Sequence, residues 1–179
     1  MDKNILILTA SARKGGNSEQ FAAAFAAGAK AAGNRVETIR LFDQTIGFCR
    51  GCLACQKTQR CVIRDDADSI AQKMCKADVL VFATPVYYYS VSGLLKTMMD
   101  RANPLYASDY AFRKVYLLAT AADADAAAVD GAEKAVQGWV DCFEKAALAG
   151  TIFAGGVNNV GEIAGHPALA QARQAGEMV

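Results

Sequence analysis

Apolar runs and helical periodicities alternate along the chain. Residues 5–9, 36–41, 79–84, 115–120 and 151–157 read as strands, and the third, VLVFAT, has no polar interruption before Pro85. Such a run without alternation implies a strand covered on both faces. Between the strands lie helical patterns. Residues 19–33 carry Phe21, Phe25 and Ala29 at helical spacing and stop at Gly33-Asn34, while 65–76 opens on Asp65, Asp66 and Asp68, which suit a helix dipole. Residues 91–101 form a third pattern, 131–149 a fourth with Trp139 and Phe143 on one face, and a last helix starts at Pro167 within 161–178. Five β-α units with short connections imply an α/β fold with a parallel sheet, right-handed crossovers and helices on both faces. No linker or internal repeat divides the chain, so a single domain over residues 1–179 is expected. Periodicity alone leaves the order of the strands open.

Ligands of such sheets bind at the carboxyl ends of the strands. Three connections should meet there: 10–18, 85–90 and 120–125. The first follows the first strand and gathers Ser11, Arg13, Lys14, Gly15, Gly16, Asn17 and Ser18 directly before a helix. Free backbone N–H groups, the positive end of the helix, hydroxyls and Arg13 suit an anion, and a phosphate is the ligand inferred. The same residues also suit a plain strand-to-helix connection in which Asn17 and Gln20 make a capping box. The spacing is neither GxGxxG nor GxxxxGK[ST], which disfavours a Rossmann dinucleotide fold and a P-loop nucleotidase.

Composition narrows the class. With 53% apolar and 21% charged residues in 179, nothing suggests disorder. A net charge near +1, with only a modest cationic cluster at 50–64, offers no broad face for nucleic acid, and it is less acidic than an electron carrier docking on basic partners would be. No apolar run reaches a membrane span, and Met1-Asp2-Lys3 before one strand does not read as a signal peptide. No membrane association and a cytoplasmic location are expected, with the six cysteines as thiols or ligands.

Candidate chemistry outside the first loop is uneven. Pro85-Val86-Tyr87-Tyr88-Tyr89-Ser90 offers aromatic planes and amides suited to a flat heteroaromatic ligand, or tyrosines for a core or a subunit interface. The one histidine, His166, reads as a surface residue at a helix start. No Ser-His, Cys-His or carboxylate pair stands out, so no catalytic side chain is assigned; a cofactor carrying its own reactivity fits that pattern. Cys49, Cys52, Cys55 and Cys61 form C-x2-C-x2-C-x5-C, a compact run able to reach the corners of one cubane cluster. Arg50, Lys57, Arg60 and Arg64 would stabilise thiolates or an anionic cluster there. Cys75 and Cys142, on expected helices, read as buried small hydrophobes.

SARKGGNS after the first strand, CRGCLACQKTQRCVIRDD after the second and TPVYYYSVSGLLKTMMDR after the third resemble the NADPH-dependent FMN reductase family of flavodoxin-like flavoproteins. The likeness is strongest through Arg101. It implies a flavodoxin-like three-layer sandwich, a five-stranded sheet of order 2-1-3-4-5, and a homodimer with the flavin near the interface. Carried over by position, it implies Ser11, Arg13, Asn17 and Ser18 at the FMN phosphate, Pro85, Val86, Tyr87, Tyr88 and Ser90 along the ribityl chain and ring, and Thr120, Ala121 and Ala122 at the ring edge. The chain departs where the family often has glycine, at Ala10, Tyr89, Ala121 and Ala122, and proline, at Ala12; each added Cβ restricts how closely backbone approaches a ligand. The activity implied is hydride transfer from NAD(P)H through FMN to a flavin, quinone or other small acceptor. The cysteine spacing resembles the iron-sulfur flavoproteins of the same superfamily, in which Cys49, Cys52, Cys55 and Cys61 would hold a [4Fe-4S] cluster. A flavodoxin-type electron carrier and a redox-sensing module using the cysteine loop stand as the non-enzymatic alternatives.

Overall fold

The computed structural model describes residues 2–179, so Met1 lies outside the described residues. In chain order the elements are β1 (Asn4–Thr9), α1 (Asn17–Ala31), β2 (Arg35–Arg40), a one-turn α2 (Cys55–Thr58), α3 (Asp66–Lys76), β3 (Val79–Tyr87), β4 (Ser90–Val91), α4 (Gly93–Arg101), β5 (Lys114–Thr120), α5 (Asp130–Val140), β6 (Ala147–Ala154) and α6 (Pro167–Glu177). The long strands are all parallel and stand in the order β2-β1-β3-β5-β6, with Ile7 between Thr38 and Val81 and Phe82 beside Leu117. Leaving out the two-residue β4, which pairs antiparallel with the end of β3, this is the doubly wound 2-1-3-4-5 order.

Alternate residues of each central strand feed two cores. Ile5 and Ile7 pack with Phe21, Phe25 and Ala29 of α1 and Ala168 and Ala172 of α6. Leu6 and Leu8 face the other way, toward Ile70 and Met74 of α3 and Met98 of α4. β3 is buried from Val79 to Thr84, as a strand covered on both faces must be. α1 and α6 touch backbone to backbone: a Cβ on Gly28 would lie 1.9 Å from the Arg173 carbonyl oxygen, and one on Gly176 2.2 Å from that of Phe25.

Several boundaries differ from the periodicity. α5 stops at Val140, well short of residue 149, and β6 begins at Ala147. Trp139 and Phe143 do share a surface, their ring centroids 4.6 Å apart, but Phe143 reaches it from a turn closed by Phe143 N–H to Val140 O and Ala146 N–H to Phe143 O. That turn sets Ala147 beside Lys114, and pairing with β5 overrides the helical preference of the alanine-rich segment. β3 likewise runs past Pro85 to Tyr87, because β4 folds back on its end. No helix among the described residues is long and apolar enough to cross a membrane.

Candidate functional site

The chain leaves the carboxyl edge of the sheet at Thr9, where β1 lies between β2 and β3. Ala10 still donates to Ala83 O at 2.9 Å, and the backbone then turns sharply: Ser11 Oγ accepts from Arg13 N–H at 3.2 Å and Arg13 O from Gly16 N–H at 3.1 Å. Gly15 has φ +66°, and a Cβ on Gly16 would meet Arg13 O at 2.9 Å, so both glycines are required by the turn. No capping box forms. Gly16 is the N-cap and lacks a side-chain cap, Gln20 Nε2 donates to Gly15 O at 2.9 Å, and Glu19 accepts from Gly15 N–H at 2.8 Å. The amides of Asn17 and Ser18 therefore have no acceptor among the described residues. They open a helix of 15 residues, whose dipole adds to their pull on an anion.

Beside them lies a cleft of about 160 Å³. Ser11, Arg13, Asn17 and Ser18 line one side, Pro85, Val86 and Tyr87 from the end of β3 a second, and Thr120, Ala121 and Ala122 from the end of β5 a third. Ser18 Oγ and Thr120 Oγ1 are 2.9 Å apart, both buried, and lock α1 to the end of β5. Two residues expected with these do not line it. Tyr88 is fully exposed at the tip of the β3-β4 hairpin, and Ser90 is half-buried as the cross-strand partner of Tyr87. Tyr88 and Tyr89 hold φ of 48° and 60°, the paired left-handed conformation of a tight two-residue hairpin, where Asn-Gly is the usual choice. Tyr89 is braced there: its hydroxyl donates to Asp123 Oδ2 at 3.3 Å, and its carbonyl oxygen would be 2.0 Å from a Cβ on Gly131. None of the three tyrosines sits in the core.

A fourth wall went unforeseen. Val157 and Asn158, after β6, also line the cleft. Asn17 Nδ2 donates to Asn159 O at 2.9 Å, while its Oδ1 accepts from Gly161 N–H at 3.1 Å and Ile163 N–H at 3.3 Å. The Arg13 guanidinium donates to Asn158 O. Glu162 closes the loop, accepting from the Asn159 side chain at 2.7 Å and from the amides of Asn158 and Asn159; those bonds hold its carboxyl below the ordinary range. The signal was available, since the loop after the last parallel strand must emerge at the same edge.

The model for the family described as NADPH-dependent FMN reductase matches residues 3–174. The chain belongs to that family. Within the NADPH-dependent FMN reductase family it stands close to the iron-sulfur flavoprotein branch: it is 30% identical to an iron-sulfur flavoprotein of Methanosarcina thermophila over 161 residues, 90% of this chain and 82% of that one. To one from Methanocaldococcus jannaschii it is 42% identical over 73 residues, which cover 41% of this chain and only 38% of the relative. Among solved structures, the NAD(P)H:quinone oxidoreductase from Methanothermobacter marburgensis superposes with a TM-score of 0.77 at 18% identity, covering 99% of this chain and 96% of that one. An azoreductase from Bacillus anthracis gives 0.74 at 19%, covering 99% and 100%. These two likenesses show the flavodoxin-like fold.

FMN, the cofactor of the family, suits the donors present: two acceptorless amides at a helix start, the Ser11 and Ser18 hydroxyls, and a guanidinium beside them. The cysteine loop sets its four sulfurs at different depths. Cys49 and Cys52 are exposed, Cys55 is buried and Cys61 half-buried. Asn103 Nδ2 lies 3.2 Å from Cys55 Sγ, and Arg101 Nη2 3.3 Å from Cys61 Sγ. Among the described residues no three His, Cys, Asp or Glu side chains are gathered around a single metal-ion position. Arg101 is itself fully buried, bidentate to Asp65 at 2.7 Å on both arms and donating to Gly47 O at 2.7 Å. Burial acts to raise the Asp65 carboxyl, but Arg101 and the Gly47 amide outweigh it and hold it below the ordinary range. Cys75 is half-buried against the core, whereas Cys142 is exposed, because α5 ends before it. His166 caps α6, its Nδ1 accepting from Ala168 N–H at 3.1 Å, and it is not among the residues lining the cleft.

Proposed function

We propose that the protein is an FMN-dependent oxidoreductase that takes hydride from NAD(P)H and delivers electrons to a flavin, quinone or other small acceptor. The observation carrying this reading is the cleft at the carboxyl edge, where acceptorless helix-start amides face the ends of β3 and β5. When bound, FMN supplies the atom that accepts the hydride. The chain's own residues bind and orient. The Asn17 and Ser18 amides, with the dipole of α1, balance the phosphate. Arg13 adds a fixed charge beside them, and its bond to Asn158 O holds the 157–163 loop against the turn. Pro85 to Tyr87 and Thr120 to Ala122 wall the ribityl chain and the ring. His166 spends Nδ1 on a helix cap and does not line the cleft, and this reading assigns no side chain a proton to move.

A cleft of about 160 Å³ is below the roughly 300–1,000 Å³ of sites that enclose a drug-sized ligand. The ring therefore needs a further wall, and exposed Tyr87 on the cleft with Tyr88 at the hairpin tip suit a second copy of the chain; a homodimer is part of this reading. Free thiols at Cys49 and Cys52 suit the reducing cytoplasm. The test is anaerobic reduction of the FMN-loaded protein by NADH and NADPH, followed by reoxidation with a quinone. Bleaching of the bound flavin with turnover supports the enzyme; bleaching only by one-electron donors supports the flavodoxin-type carrier.

The relatives favour a second reading, an iron-sulfur flavoprotein with a [4Fe-4S] cluster on Cys49, Cys52, Cys55 and Cys61. The N–H groups of Asn103 and Arg101 beside the Cys55 and Cys61 sulfurs suit thiolate ligands, whose charge they would offset. Iron and acid-labile sulfide after anaerobic reconstitution decide it: four irons per chain, lost in Cys52→Ser, put this reading first.

A further inference from the structure

Arg40 ends β2 and does not line the cleft, yet it braces the turn that does. Its Nη2 donates to Ala12 O at 2.8 Å and approaches Ser11 O at 3.5 Å. Its Nε pairs with one oxygen of Glu19 on α1, and the other oxygen of Glu19 accepts from Gly15 N–H at 2.8 Å. Its Nη1 pairs with Asp43. One guanidinium thus ties both ends of the turn, Ser11 and Ala12 directly and Gly15 through Glu19. The Arg40 and Glu19 side chains are 16% and 20% exposed, so water screens this pair less than it does a surface ion pair.

Two physical consequences follow for an anion in the cleft. Carbonyl oxygens engaged by Arg40 cannot turn inward to oppose it, which leaves amides as the polar lining. Glu19, in the first turn of α1, is a negative charge competing for the same helix dipole, and its partner neutralises it.

We propose that Arg40 is a positioning residue for the anion-binding turn and sets the preference of the protein for phosphorylated over unphosphorylated flavin. This role rests on the assignment of the cleft to FMN. FMN and riboflavin affinities, from quenching of flavin fluorescence, are compared for wild type, Arg40→Gln, Arg40→Lys and Arg40→Gln with Glu19→Gln, with thermal unfolding alongside. Arg40→Gln is expected to weaken FMN about tenfold or more and riboflavin less than about twofold. Adding Glu19→Gln is expected to recover part of the FMN loss, because the uncompensated carboxylate is gone. Equal losses for the two flavins, or unchanged FMN affinity, overturn the role. Should Arg40→Gln fail to fold, Arg40→Lys, which keeps the charge but not the fork onto Ala12, carries the same comparison. A wild type that binds FMN no better than riboflavin instead overturns the phosphate assignment. Hydrogen exchange at Gly15 N–H then tests the brace without flavin: faster exchange in the Arg40 variant supports it, and unchanged exchange overturns it.

Discussion

Ser18 and Thr120, 102 residues apart in the chain, share a buried hydrogen bond of 2.9 Å. It joins the start of α1 to the end of β5, so two loops from different β-α units keep a constant spacing across the cleft. Replacing one partner leaves the other hydroxyl buried and unsatisfied. Thr120→Val is expected to cost about 1–3 kcal/mol, with the Ser18→Ala, Thr120→Val pair costing less than the sum of the single variants. A double-mutant cycle in urea checks this; strictly additive losses would show that the hydroxyls do not stabilise each other.

The Arg101–Asp65 pair predicts a pH dependence. The folded-state pKa of Asp65 is depressed, so its contribution to stability is present above the unfolded value of about 3.9 and is lost as pH falls through the folded one. Asp68, lowered chiefly by its bond to Arg60, acts in the same direction. Asp65→Asn leaves Arg101 buried without its counter-charge and is expected to cost about 3–5 kcal/mol at neutral pH. It should also reduce the loss between pH 5 and pH 2, which unfolding curves at several pH values would measure. An acid limb as steep as in wild type would remove Asp65 from the account.

Two glycines within helices should respond oppositely to alanine. Gly28→Ala sets a methyl group against the Arg173 backbone and must push α6 away from α1, at about 1–3 kcal/mol. Gly138, exposed on α5 with nothing within 4 Å of an added Cβ, should gain about 0.5–1 kcal/mol from the same change. Thermal unfolding of the two variants reads both signs; a stabilised Gly28→Ala would mean that the two helices are not in backbone contact.

Thiol labelling should divide the cysteines by accessibility. Cys49, Cys52 and Cys142 are exposed and are expected to react with maleimide first, Cys61 and Cys75 later, and Cys55 only on unfolding or local opening. Peptide mapping after a short pulse gives the order. Prompt labelling of Cys55 would show that the loop does not hold its sulfur against Asn103.

What could be read from the residues was whatever is local. Apolar runs and helical spacing predicted five parallel strands and most of the helices, and the loop at 10–18 declared itself by gathering hydroxyls, glycines and a cation before a helix. Once the strands were parallel, their carboxyl ends had to share an edge, which is why Ser11, Arg13, Asn17, Ser18, Pro85, Val86, Tyr87, Thr120, Ala121 and Ala122 line one cleft. Only the tertiary structure decided the remainder. α5 stops early because Ala147 finds a partner in Lys114. Tyr88 swings clear of the cleft because β4 folds back on β3, and Asn17 turns its side chain to residues 159–163, more than 140 positions away. Nothing local marks Arg40 or Arg101, whose partners Glu19 and Asp65 come within reach only in the folded chain. Periodicity records how a segment meets its surroundings in general, whereas a hydrogen bond depends on which partner the folded chain brings within about 3 Å, and no local pattern encodes that.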